Sequence, residues 1–119
     1  MRGYLCLVLK RHAVELHDLD AQEAADLMAD MQAVSAALAG ALRPVKINVE
    51  MHGNSLPHLH LHFYPRFPGD IYDGGTIDWK TVVQPVYAPG EYADFVAAIQ
   101  RELAGGGLRT LNEAKGRAA

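Results

Sequence analysis

Cysteine is nearly missing from this 119-residue chain. Cys6 stands alone, which excludes a disulfide framework and a thiolate metal cluster. Inside the run Tyr4-Leu5-Cys6-Leu7-Val8-Leu9 it reads as a small buried hydrophobe. No apolar run is long enough to span a bilayer. The run after Arg2 is short, lacks a small-residue cleavage site and stops at Lys10-Arg11-His12, so it is not read as a signal peptide. The expected location is the cytoplasm. Neither sign of charge dominates: 11 basic side chains against 14 acidic ones give only −3 with the histidines neutral. A global field for nucleic acid or anionic lipid is therefore absent, while a local phosphate site stays open. There is no internal repeat. What remains, 50% apolar and 21% charged residues, suits one globular domain with one core.

Periodicity divides that domain. Tyr4–Leu9 is uniformly apolar and strand-length, as for a strand covered on both sides. Asp20 with Glu23 three residues on marks a helix start. Ala24, Leu27, Met28, Met31, Val34, Leu38 and Leu42 follow at helical spacing, with Met28 and Met31 read as core. Gly40 and Pro44 mark the exit. Asp18, Asp20, Glu23, Asp26 and Asp30 form a solvated acidic face. Residues 45–51 alternate as a half-buried strand, and turn chemistry at His52-Gly53-Asn54-Ser55 predicts a hairpin with a short loop. Residues 67–89, rich in glycine, proline and aspartate, read as a long surface loop that closes over a site or a partner subunit. Tyr92, Phe95, Val96, Ile99 and Leu103 give a second helix from about Glu91 to Gly105-Gly106-Gly107. The expected architecture is α+β: an antiparallel sheet with the long helix packed on it and a second, C-terminal helix. It forms a single domain over residues 1–104, followed by a flexible tail over 105–119.

The most informative stretch is Pro57-His58-Leu59-His60-Leu61-His62-Phe63-Tyr64-Pro65-Arg66. On a strand at about 57–64, side chains alternate between faces, so His58, His60 and His62 share one face in steps of about 6.6 Å. Leu59, Leu61 and Phe63 point into the core. Giving one strand face to imidazoles forgoes burial there, and such a face lines a site. A neutral imidazole is a competent nucleophile near pH 7, because its ordinary pKa is about 6.5. Attack on phosphorus gives a phosphoramidate that still hydrolyses. Flanking histidines can carry a proton to the leaving group and offset phosphoryl charge. His60 has an imidazole on each side and is the natural nucleophile. Asn54 and Ser55, in the turn beside this face, can donate to anionic oxygens.

Rival readings exist for several of these residues. Two histidines at i and i+2 chelate zinc, with His52 or His12 to complete the site and Glu50 or Asp70 as the nearest carboxylates. Arg66 is either a phosphate contact or a solvated charge. Trp79 either packs on a base or anchors its loop. His12 is either a site residue or a solvated strand end, His52 either a site or a turn residue, and His17 a surface residue.

The segment Asn54–Arg66 resembles the signature of the histidine triad (HIT) family, His-φ-His-φ-His-φ-φ followed by Pro-Arg. Leu9-Lys10-Arg11-His12 is similar to the family's Lys-Lys/Arg-His element before its long helix. The resemblance covers about residues 3–66. It implies a nucleotide hydrolase or transferase, a homodimer built on an antiparallel sheet, with no metal or other cofactor required in most branches. By position it implies that His60 attacks the α-phosphorus of a nucleotide conjugate to form a covalent nucleotidyl-histidine. His58 and His62 would organise phosphate and leaving group, with His12 in support, and Asn48, Asn54 and Ser55 would lie near ribose and phosphates. The implied substrates are purine mononucleotide conjugates such as nucleoside phosphoramidates, or dinucleoside polyphosphates. Two departures stand out. Many members carry a strand pair ahead of Tyr4–Leu9 that helps form the base pocket; here either the true start lies upstream or that pocket is reduced or supplied differently. Asn54 stands where many members have glutamine. The alternatives are a non-catalytic nucleotide-binding module and a zinc protein ligated by these histidines.

Overall fold

Three strands and two helices follow one another as β1 (Leu5–Val8), α1 (Ala21–Leu42), β2 (Lys46–Met51), β3 (His60–Arg66) and α2 (Glu91–Gly105), in a computed structural model that describes residues 1–106. The strands form one antiparallel sheet in the order β1-β3-β2, the expected α+β class. Register decides the two faces, since directly opposed residues lie on the same side. Cys6 and Val8 oppose His62 and His60, while Asn48 and Glu50 oppose Tyr64 and His62. Leu5 and Leu7 oppose Phe63 and Leu61 on the other face. There they meet α1: Leu27, Val34, Ala37 and Leu38 are buried with Leu59, Leu61, Phe63 and, from α2, Ile99.

This packing corrects the expectation for the first strand. β1 is covered on one face only, and Cys6 is exposed rather than buried. Its six apolar residues mislead because an edge strand over an open site can present cysteine and valine without burying them. Met28 is exposed too, at 54%, on the outer side of α1.

The start of α1 follows the sequence closely. The Asp20 carboxylate accepts from the Glu23 N–H at 2.8 Å, and the Glu23 carboxylate accepts from the Asp20 N–H at 3.0 Å, a reciprocal cap. Arg11 also donates twice to Glu23, each at 2.6 Å. That pairing first, and the Asp20 N–H second, lower the Glu23 pKa to about 2. The acidic face is therefore partly structural: Asp18 accepts from the N–H groups of Val14 and Glu15. Gly40 does not end the helix. Arg43 does, in a left-handed conformation (φ 51°), its N–H donating to the Ala39 carbonyl at 3.1 Å. Pro44 next in line has no N–H with which to continue.

The β2–β3 hairpin forms, but its connection spans residues 52–59, longer than the turn signal implied. β3 begins at His60 instead of residue 57. Pro57 offers no N–H, and the chain at Leu59 bonds sideways: its N–H donates to the Ala13 carbonyl and its carbonyl accepts from Leu9. The strand runs on through Pro65, past the last β1 pair at Leu5 and Phe63. Residues 67–89 form the expected loop, with turns at its start and one short 3-10 helix, Trp79–Thr81. α2 ends at Gly105, capped by Gly106, and the rest of the expected tail lies outside the described residues. No helix among the described residues is long and apolar enough to cross a membrane.

Candidate active site

His60 and His62 stand side by side on the open face of β3. Their ring centroids are 4.8 Å apart and the planes nearly perpendicular, at 80°. His60 Nδ1 meets the main-chain carbonyl of His58. A carbonyl only accepts, so Nδ1 carries the proton and the lone pair of the neutral ring sits on Nε2. The short-range alternation that puts His58 two residues before His60 thus fixes the tautomer of the next imidazole.

His58 lies before the strand and is tied at both nitrogens. Nε2 donates to the Leu9 carbonyl at 2.6 Å, and Nδ1 faces His12 Nδ1 at 3.3 Å. His12 and His58 therefore brace the end of β1 against the segment that supplies the His60 acceptor.

His62 is flanked by rings. Tyr4 and Tyr64 lie nearly parallel to it, with centroids at 5.9 and 6.0 Å, and the Tyr4 hydroxyl is 2.7 Å from His62 Nδ1. Burial first, then His60 and His52, push the His62 pKa below its ordinary value. His62 is therefore neutral at pH 7. Burial, with Cys6 contributing next, raises the Tyr4 pKa to about 12, so the phenol keeps its proton. Tyr4 carried no signal in the sequence, because the β1–β3 register that places it here is a non-local pairing. His52 is 5.8 Å from His62 by ring centroids and hydrogen-bonds Glu50 at 2.9 Å.

The predicted polar residues are placed less closely. Asn54 and Ser55 are exposed on the 52–59 connection. Asn48 is half-buried, and its Oδ1 accepts from Arg66 at 2.7 Å. Arg66 is neither a phosphate contact nor a solvated charge: it is 7% exposed. Its five donors meet Asp70 twice, Asn48, and the carbonyls of Tyr72 and Gly75, which exhausts a guanidinium. Arg66 holds the Asp70 carboxyl well below the usual range and folds the start of the 67–89 loop around itself. Among the described residues no three His, Cys, Asp or Glu side chains are grouped so as to hold a metal ion; Asp70 and Glu50 are already engaged.

The sheet and the paired imidazoles on its open face define a histidine triad domain. The chain belongs to the HIT family, whose HIT domain matches residues 1–69. It is similar to a histidine triad protein from Bradyrhizobium japonicum, at 35% identity and a TM-score of 0.74, over 84% of this chain and 75% of that one. A histidine triad protein from Marinobacter aquaeolei VT8 aligns at 26% identity and a TM-score of 0.75, over 86% of this chain and 74% of that one. Among curated relatives, AP-4-A phosphorylases from two Mycobacterium tuberculosis strains (CDC 1551 / Oshkosh and ATCC 25618 / H37Rv) are 36% identical over 74 residues, 57% of this chain. The match spans 38% of their own length.

Proposed function

We propose that the protein is a nucleotide hydrolase or nucleotidyl transferase that cleaves a nucleotide conjugate at its α-phosphorus through His60. The observation that carries this is the His60 Nδ1–H bond to the His58 carbonyl, which leaves Nε2 as an unprotonated nucleophile on an open sheet face. In the reaction, Nε2 bonds to the α-phosphorus as the bond to the leaving group breaks. The developing positive charge on the ring is offset at Nδ1–H by that carbonyl. Water then attacks the nucleotidyl-His60, releasing a nucleoside monophosphate, a proton to solvent and neutral His60.

Neutral His62 suits hydrogen-bond donation better than proton transfer. With the Tyr4 O–H donating to Nδ1, its Nε2–H is left to stabilise negative charge on the leaving oxygen. A leaving group that departs as an anion matches such a donor. The name AP-4-A phosphorylase borne by the curated relatives supports the same substrate class, dinucleoside polyphosphates. His12 and His58 brace the acceptor, and Asn48, Asn54 and Ser55 lie on the ribose and phosphate side. The same reading extends to a homodimer, which the uncovered apolar residues of β2 support.

The test is His60→Ala, assayed with diadenosine polyphosphates and a nucleoside phosphoramidate. The variant is expected to keep its circular dichroism, to lose turnover by at least about a thousandfold, and to form no adduct of one nucleotidyl mass. Undiminished turnover would refute the mechanism. Binding of AMP by a wild-type protein that turns over no conjugate would replace it with a non-catalytic nucleotide module.

A further inference from the structure

Beyond Tyr64 the open face of the sheet runs into a cleft of about 450 Å³. Tyr4, Tyr64, Trp79, Tyr87 and Tyr92 line it, with Pro85. Its size falls within the range of small-molecule sites, about 300–1,000 Å³. Trp79 and Tyr92 are 69% and 59% exposed, so much of each ring is open to a ligand. Tyr87 meets Tyr92 edge to face at 5.4 Å. The cleft adjoins the triad, because Tyr4 and Tyr64 line it and also stack on His62.

The order along β3 gives this cleft a direction. His60, His62 and Tyr64 follow one another on one face, and the cleft opens at the Tyr64 end. Displacement at phosphorus runs in line, so a leaving group departs on the side away from the nucleophile. With His62 as the donor to the leaving oxygen, the leaving group departs past His62, where Tyr4, Tyr64 and the rest of the aromatic cleft are the next walls. Resting on the His60 reading above, we infer that this cleft is a leaving-group subsite, which stacks the second base of a dinucleoside polyphosphate against Trp79 and its neighbouring tyrosines. Lys80, whose Nζ lies 5.7 Å from the Trp79 ring centroid, puts a cation beside that ring, within reach of the phosphates of a base stacked there. A leaving group with neither base nor phosphates makes no use of either feature.

Trp79 is the chain's one tryptophan, so its fluorescence reads occupancy of the cleft directly. His60→Ala protein, which binds without consuming, is titrated with diadenosine tetraphosphate and with AMP, and affinities are measured in parallel by calorimetry. The dinucleotide is expected to quench Trp79 saturably, and AMP to quench it at least several-fold less at saturation. Adding Trp79→Ala, or separately Tyr92→Ala, is expected to weaken calorimetric binding of the dinucleotide on the order of tenfold. Unchanged fluorescence at calorimetric saturation, equal quenching by AMP, unaltered affinity in both double variants, or no binding at all overturns the subsite. The two readings fail separately. Quenching in a protein whose wild type shows no turnover leaves the subsite and removes the covalent chemistry, whereas turnover without quenching does the reverse.

Discussion

His62 shows how one side chain is set for its task by neighbours the sequence keeps far apart. Tyr4 lies 58 residues away along the chain, yet its hydroxyl is 2.7 Å from His62 Nδ1. A hydrogen bond donated into a ring nitrogen favours the neutral ring, in the same direction as burial. Tyr4→Phe is expected to raise the His62 pKa, move the acid limb of the kcat/KM profile to higher pH and lower kcat/KM by about tenfold. Nitrogen NMR of His62 should then show mixed tautomers in place of Nε2–H. An unmoved acid limb with unchanged tautomer would make Tyr4 a packing residue only. The sign for stability also follows. His62 has a folded pKa below its unfolded one, so its contribution is full above about pH 6.5 and is lost as pH falls through the lowered value. The common face of His60 and His62 was legible because strand alternation is local. The role of Arg66 was not, since four of its five hydrogen bonds go to Asp70, Tyr72 and Gly75, which reach it only once the loop has folded back.

Elements were legible where their signals lie within a few residues. The start of α1 is set by Asp20 and Glu23, and the cap forms as those two residues dictate. Of the two residues read as its exit, Gly40 stays inside the helix, because glycine weakens a helix interior without stopping it, and Pro44, lacking an N–H, follows the Arg43 cap. The first strand failed for a related reason: six apolar residues specify a strand but not which of its faces a helix covers. Gly3, just before β1, carries a constraint that composition hides. Its φ is +74°, and a Cβ there would stand 2.3 Å from Leu42 Cδ1 and 2.9 Å from Pro65 Cγ. Gly3→Ala therefore meets both a left-handed backbone and two well-packed neighbours. Denaturant unfolding should show a loss of about 2 kcal/mol; a loss below about 0.5 kcal/mol would mean that the turn before β1 rearranges freely.

At the scale of the molecule, the helices and the sheet do not match in width. α1 packs against β3 and α2 against α1, so of the helix-side row through β2 only Ile47 reaches the core. Val45, Val49 and Met51 are 68%, 41% and 38% exposed there, on a strand that also ends the sheet. An apolar row beside an open hydrogen-bonding edge is a costly surface for a lone chain and a natural one for a second copy, whose own row and edge are identical. Light scattering should therefore give twice the chain mass of 13.0 kDa at micromolar concentration. Val49→Glu with Met51→Glu should reduce it to the single mass, because each carboxylate would be buried unpaired in the interface. Both positions face away from the imidazoles, across the sheet from His60 and His62. Any loss of turnover in the monomeric double variant must then come from the missing partner, and a wild type already monomeric at that concentration would leave β2 as a bare edge with no dimer to cover it.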